Sequence, residues 1–165
     1  MIVVADAGPI IHLSRIGQVD LLPALYERLL IPPSVYEEVV QAGRGHAGSV
    51  ELEDAPWAEV VEHIPDAEVF ASLRSRVDAG EAAAICLACD RQADLILSDD
   101  REARALARES GLQVQGTLGI LLEAKRRGYV SRLVPLLREL KAKGTWLSES
   151  LIREVLRQAG EIEPR

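Results

Sequence analysis

Apolar and polar positions fall in alternating blocks along this chain, short β-branched runs followed by longer stretches with helical spacing. Ile2 to Ala5 is a compact apolar run that predicts a strand ending at Asp6, and Pro9 then suits the first turn of a helix. Apolar residues at Ile10, Ile11, Leu13, Ile16, Leu21, Leu22 and Leu25 fit two short helices broken near Gly17. Leu29 to Ile31 predicts a second strand. Pro32-Pro33-Ser34 opens a third helix, with Ser34 as its cap and Val35, Val39 and Val40 as its inner stripe.

Ala42 to Gly48 holds three glycines among small and polar residues, too little apolar area to bury, and predicts a mobile surface loop. Trp57 to Ile64 alternates as a strand does, and Asp66 begins a helix running to about Val77. Glu81 to Cys89 is apolar nearly all the way round, which predicts a central buried helix. A strand over Ala93–Leu97, a helix over Asp100–Glu109, a strand over Leu112–Val114 and a helix over Leu118–Arg127 complete a βα rhythm that calls for a parallel sheet. After Gly128 the pattern is purely helical, over Arg132–Lys143 and, capped by Ser148, over Glu149–Gln158. No repeat or linker divides the chain, so residues 1–165 are expected to form one domain with a helical C-terminal part at about 129–160.

Composition adds bounds. With 165 residues, 48% of them hydrophobic, the chain can bury a core. No apolar run approaches the roughly 20 residues of a membrane span, and the first strand starts without a basic leader. A soluble, cytoplasmic protein without a membrane partner is expected. Cys86 and Cys89 lie in the apolar helix and read as small core residues. His12, His46 and His63 show no ligand spacing to them or to each other. The formal net charge of −7 argues against a broad nucleic-acid-binding surface but not against a local one.

The acids are the informative feature. Asp6, Glu37-Glu38, Asp78 with Glu81, and Asp99-Asp100 all fall where a strand ends or a helix begins. Such positions converge in one crevice of an α/β fold. Each has an ordinary account by itself: Asp6 as a cap, Glu37 and Glu38 as a solvated face, Asp78-Ala-Gly-Glu81 as a capping box, Asp99 and Asp100 at a helix start. Their recurrence at equivalent places is not explained that way. Crowded carboxylates repel and call for a hard cation such as Mg²⁺ or Mn²⁺. Removing the five charges of Asp6, Glu38, Glu81, Asp99 and Asp100 from −7 leaves −2, so most of the net charge belongs to these positions.

Four segments in order, VVADAGPIIHL, IPPSVYEEV, DAGEAAAICLA and ADLILSDDREARALA followed by GTLGILLEAKRRG, resemble the PIN-domain family of metal-dependent nucleases. The resemblance is nearest to a largely uncharacterised prokaryotic branch similar to VapC-type toxins, and it spans nearly the whole chain. It implies an α/β fold, a three-layer α/β/α sandwich with a central, mostly parallel sheet. Asp6 matches the family's first acid, Glu38 its second, since an aliphatic residue, Val39, follows, and Glu81 its third. The fourth is Asp99 or Asp100, and Asp99 is the better match.

The resemblance further implies hydrolysis of RNA phosphodiester bonds with one or two Mg²⁺ or Mn²⁺ ions, a homodimer, and a small antitoxin that holds a toxin of the type II class inactive. Ser98 is a candidate to orient a ligand or touch phosphate. Arg44 and His46 in the glycine-rich loop, and Arg101 and Arg104 beside the last acids, are candidate phosphate contacts. Lys125-Arg126-Arg127 fits a helix C-terminus instead. With six aromatic residues in the chain, a base-stacking platform has little to be built from. Two rival readings are a non-catalytic nucleic-acid-binding or regulatory module and an aspartyl-phosphate phosphohydrolase. The second would want an Asp two residues after Asp6, where Gly8 stands. Trp146 is expected to close the core.

Overall fold

The computed structural model describes residues 1–44 and 52–162. Five short strands form one sheet: β1 (Val3–Ala5), β2 (Leu29–Ile31), β3 (Ala58–Val60), β4 (Leu95–Leu97) and β5 (Val114–Gln115). Their order is β3-β2-β1-β4-β5, and every pairing among the described residues is parallel. Val4 stands opposite Leu30 on one side and Ile96 on the other. Parallel pairing needs crossovers, and nine helices among the described residues accompany it. They are α1 (Ala7–Arg15), α2 (Leu21–Tyr26), α3 (Pro33–Ala42), α4 (Ala67–Arg74), α5 (Ala79–Asp90), α6 (Arg101–Glu109), α7 (Thr117–Arg126), α8 (Val134–Ala142) and α9 (Glu149–Gln158).

Alternation along the strands splits the core into two layers. Val3, Ala5 and Leu97 point to the side of α1, α2, α3 and α7 to α9. Val4 and Ile96 point to the side of α4, α5 and α6. The result is the three-layer α/β/α sandwich with a helical C-terminal extension. As its composition predicts, α5 is enclosed nearly all round: Ala82, Ala84, Leu87 and Ala88 are fully buried, and it packs on α3, α4, α6 and β1. No helix among the described residues is long and apolar enough to cross a membrane.

Several local expectations are corrected. Ser34 is not a cap, because α3 starts two residues earlier than a Ser34 cap implies, with Pro32 at the capping position and Pro33 in the first turn. The strand expected over Trp57–Ile64 is only Ala58–Val60, at the sheet edge, where Val60 is exposed. Cys86 is buried as expected, but Cys89, at the solvent side near the end of α5, is exposed. Trp146 is 85% exposed and closes no core. That end is instead closed by Glu161, which accepts hydrogen bonds from Lys125 Nζ and from the backbone N–H groups of Leu133 and Val134.

The strand order reverses direction between β1 and β4: β2 and β3 lie to one side, β5 to the other. A parallel sheet opens a crevice at the carboxyl ends of its strands at such a switch point. Asp6 follows β1, and Ser98, Asp99 and Asp100 follow β4, so the two strand ends that carry acids are adjacent.

Candidate functional site

Asp6 occupies the capping position of α1, yet its side chain makes no capping hydrogen bond. It is only 6% exposed, a buried carboxyl at the centre of the crevice. Burial is the main force on its pKa. A contact with the Ala7 N–H pulls it down, while the charges of Glu81, Glu38 and Asp78 push it up, and the group ends at about 7 against an ordinary 3.8.

Glu38 comes in from α3, where Ser34 and Val35 lie one turn earlier. Gly80 on α5 allows the approach: a Cβ there would stand 3.1 Å from Glu38 Oε2 and 3.7 Å from a Val35 methyl. Burial and then the Asp78 charge raise the Glu38 carboxyl. Glu81 and Asp78 form the capping box read from their spacing: Glu81 Oε2 accepts from the Asp78 N–H at 3.0 Å, and Asp78 Oδ1 from the Glu81 N–H at 2.8 Å. Burial raises Glu81 too, helped by Asp78, Asp100 and Glu38 and opposed by its backbone hydrogen bond. Four carboxylates contributed by three separate segments, Asp6, Glu38, Asp78 and Glu81, thus share one electrostatic field, and Asp100 reaches it through Glu81.

The two adjacent aspartates after β4 have different partners. Asp100 caps α6, accepting from the Ala103 N–H through Oδ2 at 2.9 Å. Asp99 turns towards α1 and α7. Its Oδ2 lies 2.7 Å from His12 Nδ1 and accepts from Thr117 Oγ1 at 2.5 Å, while Oδ1 accepts from the Thr117 N–H at 2.7 Å. Burial alone would raise the Asp99 carboxyl, but the hydrogen bonds from His12 and Thr117 outweigh it and hold the group below its ordinary value. Gly116 is required beside it. Any Cβ there would run into the Arg104 guanidinium and stand 2.9 Å from Asp99 Oδ1.

Ser98 is 1% exposed, and its hydroxyl has no hydrogen-bond partner among the described residues. An orphaned buried hydroxyl beside the acid-bearing strand end is costly unless something bonds to it. Arg104 is half-buried, with Nη1 3.4 Å from the Ser98 carbonyl oxygen. Arg101, at the start of α6, and Arg44, just past α3, are exposed. His46 lies outside the described residues.

Every atom these acids offer is oxygen, a donor set for Mg²⁺ or Mn²⁺ rather than zinc. Among the described residues, however, no three His, Cys, Asp or Glu side chains already converge on one point at ligand distance. Glu81 Oε2 and Asp100 Oδ2 accept from backbone N–H groups, and among the described residues the other oxygen of each carries no hydrogen bond. His12 and Thr117 were missed as functional residues by the reading of acids alone. Both lie within the quoted segments, but only Thr117 stands at a helix start beside a strand end, whereas His12 is in the last turn of α1 and carried no such signal.

A family model described as a PIN domain matches residues 2–161. No curated protein matches the chain.

Proposed function

The chain belongs to the PIN-domain family, whose members are generally nucleases that typically use divalent metals, and we propose that it is a metal-dependent ribonuclease hydrolysing RNA phosphodiester bonds. The observation that carries this is Asp6, a buried carboxyl held at about 7 by burial and the charges of three neighbouring acids at the sheet's switch point. A carboxyl kept there without a compensating positive charge costs folding energy, and a bound cation reverses the sign of that cost.

Asp6, Glu38, Glu81 and Asp100 would hold the ion, the last two through the oxygens their helix caps leave free. When bound, the ion supplies charge to the phosphate, a water of lowered pKa and stabilisation of the leaving oxygen. Asp99 is the positioning acid. Its hydrogen bonds to His12 and Thr117 tie the end of β4 to α1 and α7, so that its neighbour Asp100 faces Glu81. The Ser98 hydroxyl is free to donate to a ligand or a phosphate oxygen. Arg104, Arg101 and Arg44 supply positive charge for the strand on either side.

The test is cleavage of a mixed RNA pool in Mn²⁺, Mg²⁺ or EDTA, beside Asp6→Asn. Metal-dependent cleavage lost in the variant is the expected result. A folded, antitoxin-free wild type that cuts nothing in any metal would transfer the assignment to a non-catalytic nucleic-acid-binding module. The toxin form of this reading adds a homodimer and a small antitoxin. Growth arrest on expression, relieved by co-expression of any short reading frame encoded beside it, tests that part.

A further inference from the structure

A cavity of about 310 Å³ opens at the same carboxyl edge of the sheet, on the β2 and β3 side of the acids. Pro32, Pro33 and Ser34 follow β2 and form one wall, and His63 and Pro65 follow β3 and form another. The remaining sides are Phe70 of α4 and the small residues Ala79 and Ala83 of α5.

The cavity and the acids share their walls. Ser34 and Glu38 are four residues apart on α3, so their side chains stack on one face about 5–6 Å apart. Ala79 sits between Asp78 and Gly80, and Gly80 is the point where α5 meets Glu38. A nucleotide whose phosphate lay at the acids would carry its base, one sugar away, along these shared walls.

The lining selects the kind of group that enters. It is mostly apolar and flat, made of prolines, alanines and the chain's sole phenylalanine. Among the described residues no Lys or Arg lines it, which favours a neutral ring over a phosphate. The polar groups are few and well placed. Ser34 is not spent as a cap, and His63 Nε2 lies 3.4 Å from Asp90 Oδ2. The volume is at the small end for ligand sites, enough for one heterocycle and too small for a peptide helix.

We propose that this cavity is a nucleobase subsite, in which a base of the RNA strand stacks on Phe70 while its polar edge meets Ser34 and His63. The assignment rests on the ribonuclease reading for the identity of the strand, although base binding itself does not require catalysis.

The experiment is chemical-shift mapping of ¹⁵N-labelled protein in EDTA, titrated with AMP, GMP, CMP and UMP and with ribose 5-phosphate. At least one nucleotide is expected to shift the amides of Ser34, Phe70, Ala79 and Ala83, and ribose 5-phosphate to leave them unmoved. Ala83→Leu fills the cavity and should weaken that response at least about fivefold, the lower bound of a base–aromatic stack. Ala79→Leu, at an exposed position in the first turn of α5, obstructs the same space with less risk to the fold. No nucleotide-specific shifts, or shifts unchanged in both variants, would overturn the subsite even if the protein cleaves RNA. Nucleotide shifts in a protein that cuts no RNA in any metal would keep the subsite and remove the ribonuclease.

Discussion

Ionisation of Asp6 opposes folding of the metal-free protein, so Asp6→Asn should be more stable than wild type at neutral pH and above. The folded carboxyl titrates at about 7 instead of 3.8. An acid whose pKa is raised by folding binds its proton more tightly in the folded state, so the penalty is absent below about pH 4. It grows between about pH 4 and 7 and is complete above. About three pH units at 1.36 kcal/mol each give roughly 4 kcal/mol, an upper bound because the acids around Asp6 can turn towards water as they charge. For a chain of this length that is roughly 8–16 °C in Tm. The assay is thermal unfolding in EDTA from pH 4 to 8, wild type against variant. Asn keeps the shape and the acceptor oxygen. Glu38 and Glu81, both raised by burial, are present in both proteins, so the difference reports on position 6. The two should melt together near pH 4 and diverge between pH 5 and 7, and Mn²⁺ at pH 8 should raise the wild type much more than the variant. Parallel curves across the whole range would refute the reasoning, since Asp6 would then ionise as an ordinary exposed acid does.

Other substitutions separate the roles of neighbouring residues. Asp100→Asn should keep its cap on α6 and lose metal affinity at least tenfold by calorimetry with Mn²⁺. Asp99→Asn should instead cost about 2–4 kcal/mol in urea unfolding, because charge-assisted hydrogen bonds from His12 and Thr117 are lost together, with Mn²⁺ affinity of the folded protein within about threefold of wild type. The reverse pattern would make Asp99 the ligand. Gly116→Ala should cost about 1–3 kcal/mol by crowding Asp99 and displacing the Arg104 guanidinium from the Ser98 carbonyl, and Arg104→Ala in the same chain should recover part of that, a coupling readable in a double-mutant cycle. Glu161→Gln, which weakens the ion pair with Lys125 and the hydrogen bonds to the start of α8, should lower stability by about 1–3 kcal/mol and leave metal binding unchanged.

Periodicity and punctuation alone determined the order of elements, because they report local physics. A β-branched run needs a sheet, and a helix apolar on every side, such as α5, must sit at the centre. Asp78-Ala-Gly-Glu81 and Ser148 are caps whose partners lie three residues away, so both were legible without a fold. The candidate acids were legible for the same reason, since strand ends and helix starts can be read from the chain.

Partnership across the sheet was not legible. Asp99 and Asp100 are chemically identical neighbours, and what separates the acid bonded to two helices from the one near Glu81 is His12, 87 residues away, and Thr117, 18 residues away. Gly80 and Gly116 look like ordinary helix-start glycines until Glu38 and Arg104 are brought against them. Ser34 reads as a cap until Pro32 takes that position, and Trp146 reads as core until the C-terminal helices leave it outside. In each case the deciding interaction is between groups far apart in sequence, whose meeting depends on strand order and helix packing, and only the tertiary structure specifies those.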